Sequence, residues 1–168
     1  YDILIANTNL SIEKELEYLN IFKSNQVDGI IFMATKVTDK HIEVIRDLEV
    51  PIVVVAQDIE KFPSVYFDEF QATEDITNYL IVKGHKKIGY IGVYEEDKAV
   101  GLYRKQAYIE TLKNNNIEIN YENIKSGDFD EKSGYILTRE MMEGEDVPTA
   151  IVAVTDNLAL GAIEYLID

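Results

Sequence analysis

The stretch VPTAIVAVTDNLALGAIEYL, from Val147 to Leu166, most constrains what this chain can fold into. After Pro148 an unbroken apolar run, Thr149 to Val154, fits a strand buried on both faces of a parallel sheet. A helix must follow at once, because Leu158, Ala159, Ala162, Ile163 and Leu166 recur at helical spacing. Asp156 is positioned to cap it, which leaves Thr155, Asp156 and Asn157 at the junction where open α/β sheets bind ligands.

The same alternation runs along the chain. DILIA at 2–6 reads as a buried strand, and Ser11 caps a helix in which Ile12, Leu16, Leu19 and Phe22 share a face. Ile30 to Met33 is a second strand. Asp39 opens a helix carrying Ile42, Ile45 and Leu48, and Ile52 to Ala56 is a third strand. Short strand–helix connections of this kind imply parallel strands with right-handed crossovers.

The rhythm then pauses. Gln57 to Pro63 is a loop, and Ser64 to Phe67 is a short extended piece with no helix before it, so a boundary falls near Phe67 and Asp68. This gives a first lobe over 1–67 and a second over 68–168.

In the second lobe a helix over 69–83 presents Ala72, Ile76 and Leu80 and stops at Gly84. Ile88 to Val93 is a strand. A helix from Val100 to Asn114 buries Leu102, Ile109 and Leu112, residues 122–126 form a weak strand, and Asp130 caps a helix bearing Tyr135, Thr138 and Met142. The chain opens inside a strand pattern and stops at Asp168 within a helical one, as expected of a segment of a longer protein, incomplete at both ends.

Charge narrows the function. Asp and Glu number 31 against 16 Lys and Arg, for a formal net charge of −15. Such a surface repels phosphate backbones, so direct nucleic-acid contact by these residues is not expected. Cysteine is absent, which removes disulfides, thiolate metal sites and a cysteine nucleophile. His41 and His85 are the two histidines and lie outside metal-ligand spacing, so no metal and no cofactor is expected, and each reads as structural or solvated.

Glycine-rich nucleotide loops and a nucleophile elbow are likewise missing, which argues against an enzyme. Acidic runs at 95–97 and 143–146 read as solvated surface.

The stronger signal is a set of polar residues at strand ends: Asn7 and Thr8, Thr35, Gln57 and Asp58, then Thr155, Asp156 and Asn157. Arg104 lies in the first turns of the helix that follows the strand 88–93, and a planar guanidinium can grip two hydroxyls, a carboxylate or a phosphate. A salt bridge with Glu110 or a nearby acidic loop is the alternative for Arg104, plain capping the one for Asp156. Phe129 can stack on a sugar face or simply pack.

With Arg104, Gly-Asp-Phe at 127–129 and the strand–helix stretch in hand, the whole chain resembles the effector-binding core of lac-repressor-type (LacI/GalR) transcription regulators. The pieces that carry the resemblance are YDILIANTN at 1–9, VDGIIF at 27–32, VPIVVV at 50–55, KGHKKIGYIG at 83–92 and PTAIVAVTDNLALGA at 148–162. Segments 53–69, 101–104 and 155–162 are most similar to trehalose-operon repressors.

The resemblance implies two Rossmann-like parallel-sheet lobes of the periplasmic-binding-protein-like type I, with a sugar or sugar phosphate, trehalose 6-phosphate among them, held in the cleft. It implies allosteric control of operator DNA through a headpiece outside this chain, a homodimer, a cytoplasmic location and no membrane. Arg104 matches the effector-contacting arginine, Phe129 an aromatic cleft position, and Thr155, Asp156 and Asn157 the polar strand-end cluster. Val100 and Ala56 stand where some relatives carry a serine and an acidic contact, so Gln57 or Asp58 is expected to serve from the first lobe. A transport-type sugar-binding protein and a sugar-processing enzyme are the alternatives.

Overall fold

A computed structural model describes residues 2–34, 36–59 and 61–168 and divides the chain into two compact α/β units, Tyr1–Phe67 and Asp68–Asp168. In unit 1 the elements are α1 (Ile12–Ser24), β1 (Ile30–Met33), α2 (Asp39–Arg46), β2 (Ile52–Val55) and β3 (Ser64–Val65). The strands are parallel in the order β1-β2-β3, with Ile30 opposite Ile52 and Val54 opposite Ser64.

Ser11 caps α1 by accepting from the Lys14 N–H at 3.4 Å, and Glu13 and Glu15 favour its positive end. The core gathers Leu19, Phe32, Ile45 and Val54. α2 opens at Asp39 as expected, with Thr38 as its cap residue. Nδ1 of His41 accepts the Thr38 N–H at 3.1 Å, which assigns the ring proton to Nε2, 3.1 Å from the Glu15 carboxylate. His41 is therefore structural, fully buried and stacked on Phe32.

Residues 2–6, expected as a strand, are irregular, with Ile3 and Ile5 more than four-fifths exposed at 83% and 89%. β-formers make a strand only where a neighbour supplies ladder partners, and β1 pairs with β2 alone among the described residues.

Unit 2 contains α3 (Glu69–Val82), β4 (Ile88–Val93), a wide π-helical turn (Lys98–Tyr103), α4 (Arg104–Asn114), a 3₁₀ turn (Tyr121–Asn123), β5 (Ile124–Gly127), α5 (Glu131–Met142), β6 (Ala150–Ala153) and α6 (Asp156–Ile167). Its sheet is parallel in the order β5-β4-β6. Every residue of the central strand β4 is buried, whereas β6 is an outer strand and buries only Val152 fully. Within this unit β4 takes the middle place, so the 149–154 run is only partly buried.

Helix faces differ from the apolar spacing in an instructive way. α3 turns Glu69, Thr73 and Thr77 inward and leaves Ile76 exposed. Each threonine hydroxyl donates to the carbonyl four residues back, Thr73 to Glu69 at 2.9 Å and Thr77 to Thr73 at 2.7 Å. With its polar atom satisfied, a threonine packs as a small apolar residue.

On α6 the inward residues are Leu158, Gly161 and Ala162, while Ile163 and Leu166 are half-exposed. α5 and α6 meet backbone to backbone: a Cβ on Gly161 would lie 1.8 Å from the Glu131 carbonyl oxygen, and one on Gly134 would lie 2.3 Å from that of Leu158. β5 begins two residues later than the weak strand expected over 122–126, since Glu122 belongs to the 3₁₀ turn.

Beneath the sheet, Tyr90 and Tyr108 pack at 4.9 Å between ring centroids. Tyr108 donates its hydroxyl to the Ile88 carbonyl at 2.6 Å, whereas the buried Tyr90 hydroxyl has no protein partner. Their phenylalanine variants should diverge. Tyr108→Phe orphans a buried carbonyl and costs about 1–2 kcal/mol, while Tyr90→Phe is neutral or gains up to about 1 kcal/mol in urea titrations.

Candidate functional site

In a parallel α/β sheet the helix N-termini and the carboxyl ends of the strands lie at the same edge, where polar groups converge. In unit 2 that edge is built around Arg104, the first residue of α4. The six residues before it form a π-helical turn, in which the Leu102 N–H reaches back five residues to the Asp97 carbonyl at 3.1 Å. Asp97 caps this turn through the Val100 N–H at 3.0 Å.

Arg104 is fixed on three sides. Its Nε and Nη2 donate to one oxygen of Glu69 at 2.7 and 2.5 Å, and Nη1 donates to the carbonyl of Val154, just past β6. The guanidinium side chain is one-quarter exposed (25%) and the carboxylate side chain 8%. The ion pair is thus with Glu69, from the start of α3, and not with Glu110.

The expected helix cap at the end of β6 is displaced by one residue. Thr155 is the cap, its hydroxyl accepting from the Leu158 N–H at 3.4 Å, and Asp156 is the first helical residue with an exposed carboxylate. A threonine in the extended conformation points its oxygen back at the open N–H groups; a first-turn aspartate faces solvent and acts through the helix dipole. Asp156 is thereby left available to a ligand.

Asn157 donates to the Phe129 carbonyl at 3.0 Å, joining the β6 end to the β5 end. Phe129 is half-buried against the core. Asp130, next in line, caps α5 through the Ser133 N–H at 2.8 Å, a bond that holds its carboxyl below the usual range. Burial pushes the Tyr90 hydroxyl well above the ordinary tyrosine value, opposed by the Arg104 charge.

Arg104, Thr155, Asp156, Asn157 and Phe129 are therefore brought to one edge of unit 2. Glu69 joins this edge through its ion pair with Arg104, and no sequence motif pointed to it. Its signal was an acidic residue directly after a helix-capping aspartate, at an edge already expected to hold an arginine.

In unit 1, Ala56 takes a left-handed φ of 69° after β2, and beyond it Gln57 is buried and Asp58 exposed. Thr35 lies outside the described residues. Asn7 holds the Asn9 N–H at 3.0 Å, and Asn7, Thr8, Glu15 and Met33 line a concavity of about 770 Å³. Among the described residues no cluster of His, Cys, Asp and Glu could hold a metal ion, and no helix is long and apolar enough to cross a membrane.

Comparison with known proteins extends over the whole chain. Residues 1–167 match the family model of periplasmic binding proteins and the sugar binding domain of the LacI family. The sucrose operon repressor of Staphylococcus xylosus is 34% identical over 165 residues, covering 98% of this chain and 51% of that protein. Catabolite control protein A of Priestia megaterium is also 34% identical over 165 residues, 97% of this chain and 50% of its own.

Among solved structures, the transcription regulator CcpA of Lactococcus lactis superposes with a TM-score of 0.88 at 30% identity, over 100% of this chain and 62% of that one. The trehalose repressor of Escherichia coli gives 0.85 at 28%, over 99% and 62%. The chain spans about half the length of the repressors it matches in sequence.

Proposed function

The chain belongs to the family of periplasmic binding proteins and LacI-type sugar binding domains, and from that premise we propose that it is the effector-sensing part of a bacterial transcriptional repressor. The effector is a sugar or a sugar phosphate, trehalose 6-phosphate being one member of that class. Its binding shifts the longer protein, a dimer, between states that hold and release operator DNA. A ligand achieves this only through different affinities for the two states, so chemistry at the site is not required.

The observation that carries this reading is Arg104. It is held at the end of β6 by Glu69 and the Val154 carbonyl, yet a quarter of its side chain remains open, and two residues beyond Val154 the Asp156 side chain is exposed. Fixed donors and acceptors over an apolar wall such as Phe129 suit a ring of hydroxyls. The relatives favour regulation over transport, since those named above are a sucrose operon repressor and catabolite control proteins. With its net charge of −15, this segment leaves DNA contact to another part of the protein.

A thermal-shift screen of free sugars and sugar phosphates against the full-length protein tests the reading. A ligand at a hundred times its Kd stabilises the native state by about 2.7 kcal/mol and raises the melting temperature accordingly. A flat response to every sugar and sugar phosphate would remove the assignment.

A further inference from the structure

We infer that the Arg104 edge selects an uncharged polyhydroxyl effector over its phosphate ester, and that Glu69 sets this preference. The inference rests on the sugar-sensing reading above and narrows it.

A guanidinium carries five N–H donors. Three of them are committed within the protein, Nε and one on Nη2 to Glu69 and one on Nη1 to Val154. Two remain for a ligand, and the charge behind them is already matched by a carboxylate 2.5 Å away. Two donors without net charge suit hydroxyl oxygens. A phosphate would have to compete with Glu69 for the guanidinium and leave a carboxylate of 8% exposure without its partner.

The helix N-termini at this edge each have one backbone N–H already taken by a capping side chain. Helix N-termini bind phosphate through free backbone N–H groups. Here Asp68 accepts from Gln71 N–H on α3, Asp97 from Val100 N–H before α4, Asp130 from Ser133 N–H on α5, and Thr155 from Leu158 N–H on α6. The carboxylate of Asp156 adds exposed negative charge where an anion would approach. Lys105, the neighbouring cation, is engaged by Glu95 at 2.7 Å. A dianion meets repulsion at this edge, whereas a free sugar meets hydrogen-bond acceptors and two open donors.

Calorimetry on the full-length protein with matched pairs provides the test: sucrose and sucrose 6-phosphate, trehalose and trehalose 6-phosphate, glucose and glucose 6-phosphate. In whichever pair binds, the free sugar is expected to bind at least about tenfold tighter than its ester. Glu69→Gln, nearly isosteric, should strengthen ester binding and narrow that ratio by at least about threefold, while Glu69→Asp keeps it wide.

Tighter binding of the ester to the wild type overturns the inference and leaves the sugar-sensing reading intact, as does a ratio that Glu69→Gln does not move. Silence of all three pairs overturns the inference, and a flat response across the wider thermal-shift screen overturns the sugar-sensing reading with it. The wild-type ratio is decisive even if Glu69→Gln fails to fold.

Discussion

Arg104→Ala is expected to abolish sugar binding and, at the same time, to lower the melting temperature of the protein by several degrees. The second effect follows from what Arg104 holds. Its removal leaves the Glu69 carboxylate, 8% exposed, without a counter-charge and frees the Val154 carbonyl. Breaking a buried pair from one side costs about 3–5 kcal/mol, and the partial exposure of Arg104 brings the expectation here to about 2–3 kcal/mol.

The double variant Arg104→Ala with Glu69→Ala separates the two roles. It should regain most of the lost stability in urea titrations while sugar binding stays absent. If binding returned with stability, the arginine would be a structural residue only.

Gly161→Ala is the second large effect and concerns the support of the site. A single methyl group there would overlap the Glu131 carbonyl at 1.8 Å and crowd the Tyr135 nitrogen at 2.7 Å, both of them backbone atoms that no rotamer can move. Overpacking commonly costs about 1–3 kcal/mol, and a clash with backbone belongs at or above the top of that range. The control is Gly84→Ala, where φ is 97° but nothing lies within 4 Å of the new Cβ. Only the left-handed backbone opposes it, at a cost of about 1–2 kcal/mol. Equal losses in the two variants would show that α5 and α6 can part without consequence.

The caps at Ser11 and Asp130 were legible in the sequence because each depends on residues within a few positions of one another, and the strand Ile30–Met33 because its local pattern coincides with a ladder partner at 52–55. The polar cluster at 155–157 was legible for the same reason, being a strand end followed at once by a helix.

What escaped depends on distant partners. DILIA at 2–6 has every local mark of a strand and pairs with no strand among the described residues. α3 buries two threonines and a glutamate because their polar atoms find partners, which hydrophobic spacing does not register. The Glu69–Arg104 pair spans 35 positions and belongs to two helices. Its local sequence shows a capped helix start and a lone arginine, and only the packing of α3 beside α4 turns them into one unit.

The wide turn before α4 carries a consequence of its own. A helix advances about 100° per residue, so the number of residues between Asp97 and Arg104 fixes the direction in which the guanidinium leaves the helix. The extra residue in that turn works as an angular key. Side chains along 98–103 can change while the key still fits, but a chain one residue shorter would aim Arg104 about a quarter-turn away from Glu69. Length, more than composition, is what this segment must preserve.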